Sequence, residues 1–258
     1  MPRGCPEGAD EAVEVVRRRY DCLRAIVTEP REKRVLVEAL GTPRSTLDDV
    51  VRELESAGLV VYEDGVWRPT TTGRVAADAH ADYRETVSDL CAAAPVVDAL
   101  PHDTPLDRTF LDGATVHEAD QALPDAVVTS ILESVADAER TRGFAPTAFV
   151  GFADRFRDRA VERDGSLELV LAPDLFDLLT GRGLEEEDRN LETTVLSGEI
   201  PVEFGLWVAD HDEAGVVVYA EQGIRGVVVN DTPAAVEWAE ELYHRVRAEA
   251  RSVEFTPV

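Results

Sequence analysis

The chain has 258 residues, with 52 Asp and Glu against 26 Lys and Arg, a formal net charge of −26, and three scattered cysteines, Cys5, Cys22 and Cys91. That length holds two domains of ordinary size. No apolar run reaches membrane-spanning length, no leader peptide is visible, and the cysteine spacing excludes a disulfide framework or a zinc site, which fits a reducing cytoplasm.

Lys33 is the one lysine, so arginine supplies the other 25 cations. Dense carboxylates with almost no lysine suggest the cytoplasm of a salt-in halophile, where molar salt screens the repulsion. An acidic protein of ordinary habitat is the alternative. The charge is unevenly spread. Residues 12–74 hold 11 basic and 11 acidic side chains, whereas residues 85–258 hold 13 arginines and 36 Asp and Glu. A near-neutral first segment on an acidic chain suits contact with phosphates, which a uniformly acidic surface repels.

Residues 1–10 read as a frayed tail. Ala12 to Val27 reads as a first helix, with Val16, Tyr20, Leu23 and Val27 near one face and Arg17, Arg18, Arg19 and Arg24 decorating it. Thr28-Glu29-Pro30 breaks it. Val35, Leu36, Ala39 and Leu40 repeat at helical spacing, and Gly41 follows where a helix end needs positive φ. Ser45 and Asp48 form an S-x-x-D capping box that starts the next helix, over residues 45–57. Leu47, Val50, Val51 and Leu54 line its inner face. Leu59 to Tyr62 and Val66 to Arg68 flank Asp64-Gly65, the signal of a type I′ hairpin. Thr70 is a natural N-cap for a long helix over about 72–94, ending at Pro95.

Helix, tight turn, helix and hairpin in that order are the signature of a winged helix-turn-helix, which places its second helix in the DNA major groove. The organisation is therefore a winged helix-turn-helix over 11–74, a linker or dimerisation helix over 75–94, and an α/β domain over 95–258. In that second domain Arg108 to Val116 reads as strands around Asp112-Gly113, and Pro124 to Arg142 as an amphipathic helix. Thr147 to Phe152 reads as a strand, Asp154 to Arg163 as a helix, Leu167 to Leu171 as a strand, and Pro173 to Thr180 and Glu186 to Ser197 as helices. Val202 to Phe204, Leu206 to Ala209, Gly215 to Tyr219 and Ile224 to Val229 read as strands. Thr232 caps a last helix, Pro233 to Arg251. Together these make a mixed-sheet α/β domain.

Enzyme signatures are missing. With Lys33 the one lysine, the second domain has no Schiff-base lysine, P-loop lysine or His-x-Lys motif, and neither G-x-S-x-G nor H-E-x-x-H occurs. No cofactor or metal is expected: Asp210-His211-Asp212-Glu213 reads as a solvated acidic turn. A small-molecule effector would meet polar residues beside the strand ends: Arg108, Asp112, Asp137, Arg140, Asp174, Asp210 and Asn230.

Arg44 to Leu47, Glu53 to Leu59 and Trp67 to Gly73 resemble archaeal winged-helix regulators. Phe204 to Asp210, Gly223 to Gly226, Asn230-Asp231 and Ala235 to Ala239 resemble the C-terminal domain of the methanogenesis regulatory protein family, carried by many halophilic archaea. That resemblance implies a DNA-binding regulator with a sensing or assembly domain similar to the phospholipase-D-like fold. Hydrolytic members of that fold need His-x-Lys, so the domain here is expected to be non-catalytic.

The expectation is a cytoplasmic, sequence-specific transcription regulator, a homodimer on a pseudo-palindromic site. Arg44, Ser45, Thr46, Asp49 and Arg52 on the recognition helix would face double-stranded DNA, with Arg68 on the wing and Arg74 at the next helix start. Two alternatives stand. In the first, the winged helix serves instead as a protein-interaction scaffold, which acidic Asp48, Asp49, Glu53 and Glu55 on the recognition helix favour. An enzyme with a small-molecule substrate comes third.

Overall fold

The computed structural model describes residues 9–119, 125–136, 138–147, 166–180, 192–221 and 223–251. The chain divides into two compact units between Glu85 and Thr86. The tail before Ala9, the strand over 148–152, the helix over 154–163, the first part of the helix over 186–197, and Asp137 fall outside the described residues.

The first unit begins with α1 (Ala9–Thr28), α2 (Lys33–Leu40) and α3 (Arg44–Ser56). Val16, Tyr20, Leu23 and Ile26 of α1 meet Leu36 of α2 and Leu47, Val50, Val51 and Leu54 of α3 in one apolar cluster. Gly41 ends α2 at φ 60°, the left-handed geometry that a side chain resists. The hairpin is β1 (Val60–Glu63) with β2 (Val66–Pro69), in antiparallel register. Asp64 and Gly65 both have positive φ, 52° and 84°, as a type I′ turn requires. Arg31 adds a third, one-residue rung: its N–H and C=O exchange hydrogen bonds with Trp67 at 3.2 and 2.9 Å.

Thr70 caps α4 (Thr71–Val97): its Oγ1 accepts from the Gly73 N–H at 2.9 Å and donates to the Gly58 carbonyl at 2.7 Å. The helix passes through Pro95 rather than stopping there. Proline costs a helix one internal hydrogen bond, but Ala93 and Val96 on either side are completely buried. The Pro95 carbonyl also accepts from Arg225 Nε and a terminal nitrogen at 3.0 and 2.9 Å.

The S-x-x-D capping box does not form. α3 starts at Arg44, its N-cap is Pro43, and no side chain caps it. Pro43 sets an extended entry and starts the helix early, so Ser45 lies inside the first turn. Asp48 turns instead to Lys33.

The second unit is built on a seven-stranded mixed sheet, ordered β3-β9-β8-β7-β4-β5-β6. Its strands are β3 (Thr115–Glu118), β4 (Arg140–Ala145), β5 (Ser166–Leu171), β6 (Glu192–Ser197), β7 (Phe204–Ala209), β8 (Glu213–Ala220) and β9 (Gly223–Asn230). β4, β5 and β6 are parallel, and the other pairings are antiparallel. Its helices are α5 (Arg108–Leu111), α6 (Asp125–Ala136), α7 (Pro173–Thr180) and α8 (Pro233–Glu249). α8 covers one face through Val236, Ala239, Leu242, Tyr243 and Val246, beside Ala93, Val96 and Phe110. α6 covers the other through Val127, Ile131, Leu132 and Val135. β7 is buried along its whole length, which explains its unbroken apolar run.

Several expectations are corrected here. Arg108 to Leu111 is a helical turn, because Asp107 caps it by accepting the Thr109 N–H at 2.8 Å; only Thr115 to Glu118 is strand. The helix expected to reach Arg142 ends at Ala136, and Arg140 to Ala145 is β4. The polar residues 139–142 hide this strand; the charge of Arg142 is matched by Glu240, 98 positions on. Glu192 to Ser197 is strand, not helix: its β-branched residues pair in parallel with β5. The two strands expected over 202–209 are one, Phe204–Ala209, with Val202 in the turn before it. Thr232 does cap the last helix, accepting from the Ala235 N–H, and that helix closes at Glu249. Among the described residues, no helix is long and apolar enough to cross a membrane.

Candidate nucleic-acid interface

The exposed face of α3 carries the predicted recognition residues. Arg44, Ser45 and Thr46 form its first turn and are all exposed. With no side chain capping this end, its first N–H groups lack an intrahelical acceptor. One guanidinium, two hydroxyls and a helix N-terminus therefore converge in one turn, a donor set that suits phosphate oxygens and base acceptors.

The carboxylates of α3 are mostly neutralised. Asp48 pairs with Lys33 at the start of α2. Asp49 pairs with Arg52 at 3.3 Å, one turn along the same exposed face. Glu53 accepts two hydrogen bonds from Arg19, at 2.9 and 3.0 Å, which tie α3 to α1. The Arg19 hydrogen bonds hold the Glu53 carboxyl below its usual range against a smaller effect of burial. Glu55 is exposed. The acidity of this helix in the sequence is thus largely cancelled by cations from α1, α2 and its own next turn.

Arg68 lies on β2, half-buried, opposite Val61. Arg74 is exposed in the first turn of α4 and reaches Thr71 Oγ1 at 3.4 Å. Among the described residues, neither makes a hydrogen bond or ion pair to α3. Two residues beside this set were not anticipated. Tyr62 stands out from the hairpin, its ring 5.1 Å from that of Trp67. Arg31 bridges to the hairpin backbone, and its Nε is buried without a partner among the described residues. An aromatic in the alternation of β1 and a basic residue just before α2 were the available signals.

In the second unit the predicted effector residues fall into separate places. Asn230 donates to the carbonyls of Phe110 and Asp112 at 2.8 Å, and Arg108 lies 3.6 Å from the Asp112 carboxylate. That carboxylate also accepts from Thr86 Oγ1 at 2.9 Å. Asp210 instead accepts the backbone N–H groups of Glu139 and Arg140, at 2.8 and 2.7 Å, and so anchors the start of β4. Asp174 stands exposed in the first turn of α7, apart from both groups.

A different polar cluster lies between the sheet and α8. Arg142 and Glu168 are directly opposite on β4 and β5. Arg142, only 12% exposed, donates to Glu240 at 2.7 Å, and both contact His211. Glu168 accepts from the Tyr243 hydroxyl and from Arg247 Nε. Burial works to raise the Glu168 carboxyl, but these two hydrogen bonds outweigh it and leave it low. Burial, with Glu168 alongside, pushes the Tyr243 phenol up. Asp210 and His211 both have positive φ, 48° and 65°, and this tight turn places the His211 ring on α8. Glu240, Tyr243 and Arg247, spaced by one and two turns, are a polar stripe on the buried side of α8, and that was the signal in the sequence. Among the described residues no group of His, Cys, Asp and Glu is placed to hold a metal ion.

Residues 124–249 match the family described as the middle domain of the methanogenesis regulatory protein FilR1, and residues 7–90 match the HVO_A0261 N-terminal domain. No curated protein matches. Among solved structures, the archaeal chromatin protein TrmBL2, whose structure shows a novel mode of DNA binding, is 16% identical and covers 95% of this chain and 100% of its own, at TM-score 0.42. NucT from Helicobacter pylori is 8% identical over 54% of this chain and 98% of its own, at TM-score 0.41. Nuc from Salmonella typhimurium, a phospholipase D family member, is 10% identical over 55% and 98%, also at 0.41. The second unit thus carries the sequence pattern of a regulatory-protein domain, over residues 124–249.

Proposed function

We propose that this chain is a sequence-specific, DNA-binding transcription regulator. Its first unit serves as a winged helix-turn-helix, with α3 in the major groove and the β1–β2 hairpin as the wing. The second unit is a non-catalytic sensing or assembly domain. The regulator acts as a homodimer in a salt-rich cytoplasm. The observation that carries the reading is the first turn of α3, where Arg44, Ser45 and Thr46 stand exposed while Asp48, Asp49 and Glu53 are tied to cations. The match of residues 124–249 to a regulatory-protein domain supports the same reading.

Lys33, the one lysine, lies on α2 and is held by Asp48, so lysine chemistry is absent from the second unit. Coulombic attraction to DNA is weak in molar salt, so base contacts and DNA shape carry more of the discrimination. The test is fluorescence anisotropy in molar KCl on duplex from the gene's own upstream region, against a scrambled duplex. Saturable preference for the native sequence is expected. No preference at any salt, there and across genomic fragments, overturns the reading and favours the interaction scaffold.

A further inference from the structure

The outward stripe of α3 holds a preformed pair of opposite charges. Ser45, Asp49, Arg52 and Ser56 are all exposed and fall on one side of the helix, opposite buried Leu47, Val51 and Leu54. The two serines are short, and a hydroxyl can give or accept a hydrogen bond. Ionised Asp49 only accepts, and Arg52 only donates. Their side chains are 69% and 72% exposed, and Arg52 Nη1 donates to Asp49 Oδ1 at 3.3 Å. Among the described residues neither side chain makes another hydrogen bond, so the other guanidinium N–H groups and the second carboxylate oxygen remain open.

A carboxylate on the face that meets DNA is no phosphate ligand, since the charges repel. It needs a donor, and the donors in the major groove are the exocyclic amines of cytosine and adenine. The adjoining guanidinium decides between them. The major-groove edge of a guanine–cytosine pair presents in order acceptor N7, acceptor O6 and the donor amine on cytosine. Arg52 and Asp49 side by side present two donors and then an acceptor, the complement of that row. An adenine–thymine pair presents acceptor, donor, acceptor. It would set one guanidinium N–H against the adenine amine and the carboxylate against the thymine oxygen. The ion pair also steadies the guanidinium before binding, and it leaves the stripe without net charge.

We propose that Asp49 and Arg52 act as one unit that reads a guanine–cytosine pair, with Arg52 on guanine N7 and O6 and Asp49 on the cytosine amine. The inference rests on the DNA-binding reading and names the base pair that this helix selects.

The test begins with selection of randomised duplexes by the full chain in molar KCl. It should enrich a motif with a fixed guanine–cytosine pair. Placing adenine–thymine there should lower affinity about tenfold or more. So should 7-deazaguanine, in which a C–H replaces N7. In Arg52→Ala the three duplexes should bind alike. Asp49→Ala should act in opposite directions on two duplexes. It should weaken the selected one, because the cytosine contact and the brace on Arg52 are lost, and strengthen a scrambled one, because a negative charge is gone. A merely structural role would move both the same way. Three results overturn the proposal and leave the regulator reading standing: a motif with no fixed guanine–cytosine pair, an Arg52→Ala loss equal on every duplex, or an Asp49→Ala change of the same sign on both duplexes. If no sequence is enriched at any salt, the regulator reading falls and the proposal with it.

Discussion

Lys33, at the first position of α2, holds Asp48, at the fifth position of α3. It joins the two helices of the proposed reading head, and it cancels a carboxylate beside the exposed first turn. Lys33→Ala should therefore cost stability modestly, below about 1 kcal/mol for a pair this open to water. It should cost DNA affinity more, on the order of tenfold, because Asp48 then faces phosphates uncompensated. Asp48→Asn in the same chain should restore most of that loss. Anisotropy titrations beside thermal melts check both; unchanged affinity in Lys33→Ala would remove Asp48 from the interface.

Arg44→Ala should weaken binding to the preferred duplex by about 1–3 kcal/mol if the guanidinium reads a base, and leave the melting temperature unchanged. Arg68→Ala and Arg74→Ala should instead weaken native and scrambled duplexes alike. Each should lower the slope of log affinity against log salt by about 1, the mark of a lost phosphate contact. A salt titration of the three variants separates the roles.

What was legible in the sequence was local. Gly41 at positive φ, the Asp64-Gly65 turn, the Thr70 cap and the inner face of α3 each depend on residues within a few positions of one another, so pattern alone located them. What was not legible depends on partners far away. Arg142 reads as the polar end of a helix until Glu168 and Glu240 are set beside it, 26 and 98 positions on. Asp48 reads as a cap because its alternative partner, Lys33, belongs to the preceding helix. The scattered effector candidates share polarity and strand-end position, but register assigns Asp210 to the backbone of β4 and Asn230 to the corner before α8.

Two glycines should prove intolerant for reasons of close approach. A Cβ on Gly73 would sit 1.8 Å from the Leu59 carbonyl oxygen, and one on Gly215 would sit 2.0 Å from the Trp207 ring. Backbone yields less readily than a ring edge, so Gly73→Ala should cost the first unit about 3 kcal/mol or more, beyond ordinary overpacking. Gly215→Ala must displace an indole that is itself fixed by its Nε1 donating to Ser134 at 2.9 Å, and should cost about 1–3 kcal/mol. Chemical denaturation of each variant gives the values, and a loss below 0.5 kcal/mol in either would mean that the packing relaxes.

Acid should first be felt at His80. Its ring packs at a tilt against Tyr20 with centroids 4.7 Å apart, Tyr83 lies beyond it, and the charges of Arg84 and Arg17 act on it. Burial, then Arg84 and Arg17, hold its pKa below the ordinary histidine value. The neutral ring is therefore the form the fold prefers. Between the folded pKa and the unfolded value of about 6.5, the unfolded chain binds more protons, so this contribution is complete above that window and is lost as pH falls through it. The carboxyls of Glu53 and Glu168 are held low and act in the same direction only at pH below about 4.3, where unfolded glutamates begin to protonate. Between pH 7.5 and 5.5 the melting temperature should fall in the native chain and fall less in His80→Phe, which keeps an aromatic ring against Tyr20 and removes the titration. Equal slopes in the two proteins would assign the acid sensitivity to other groups.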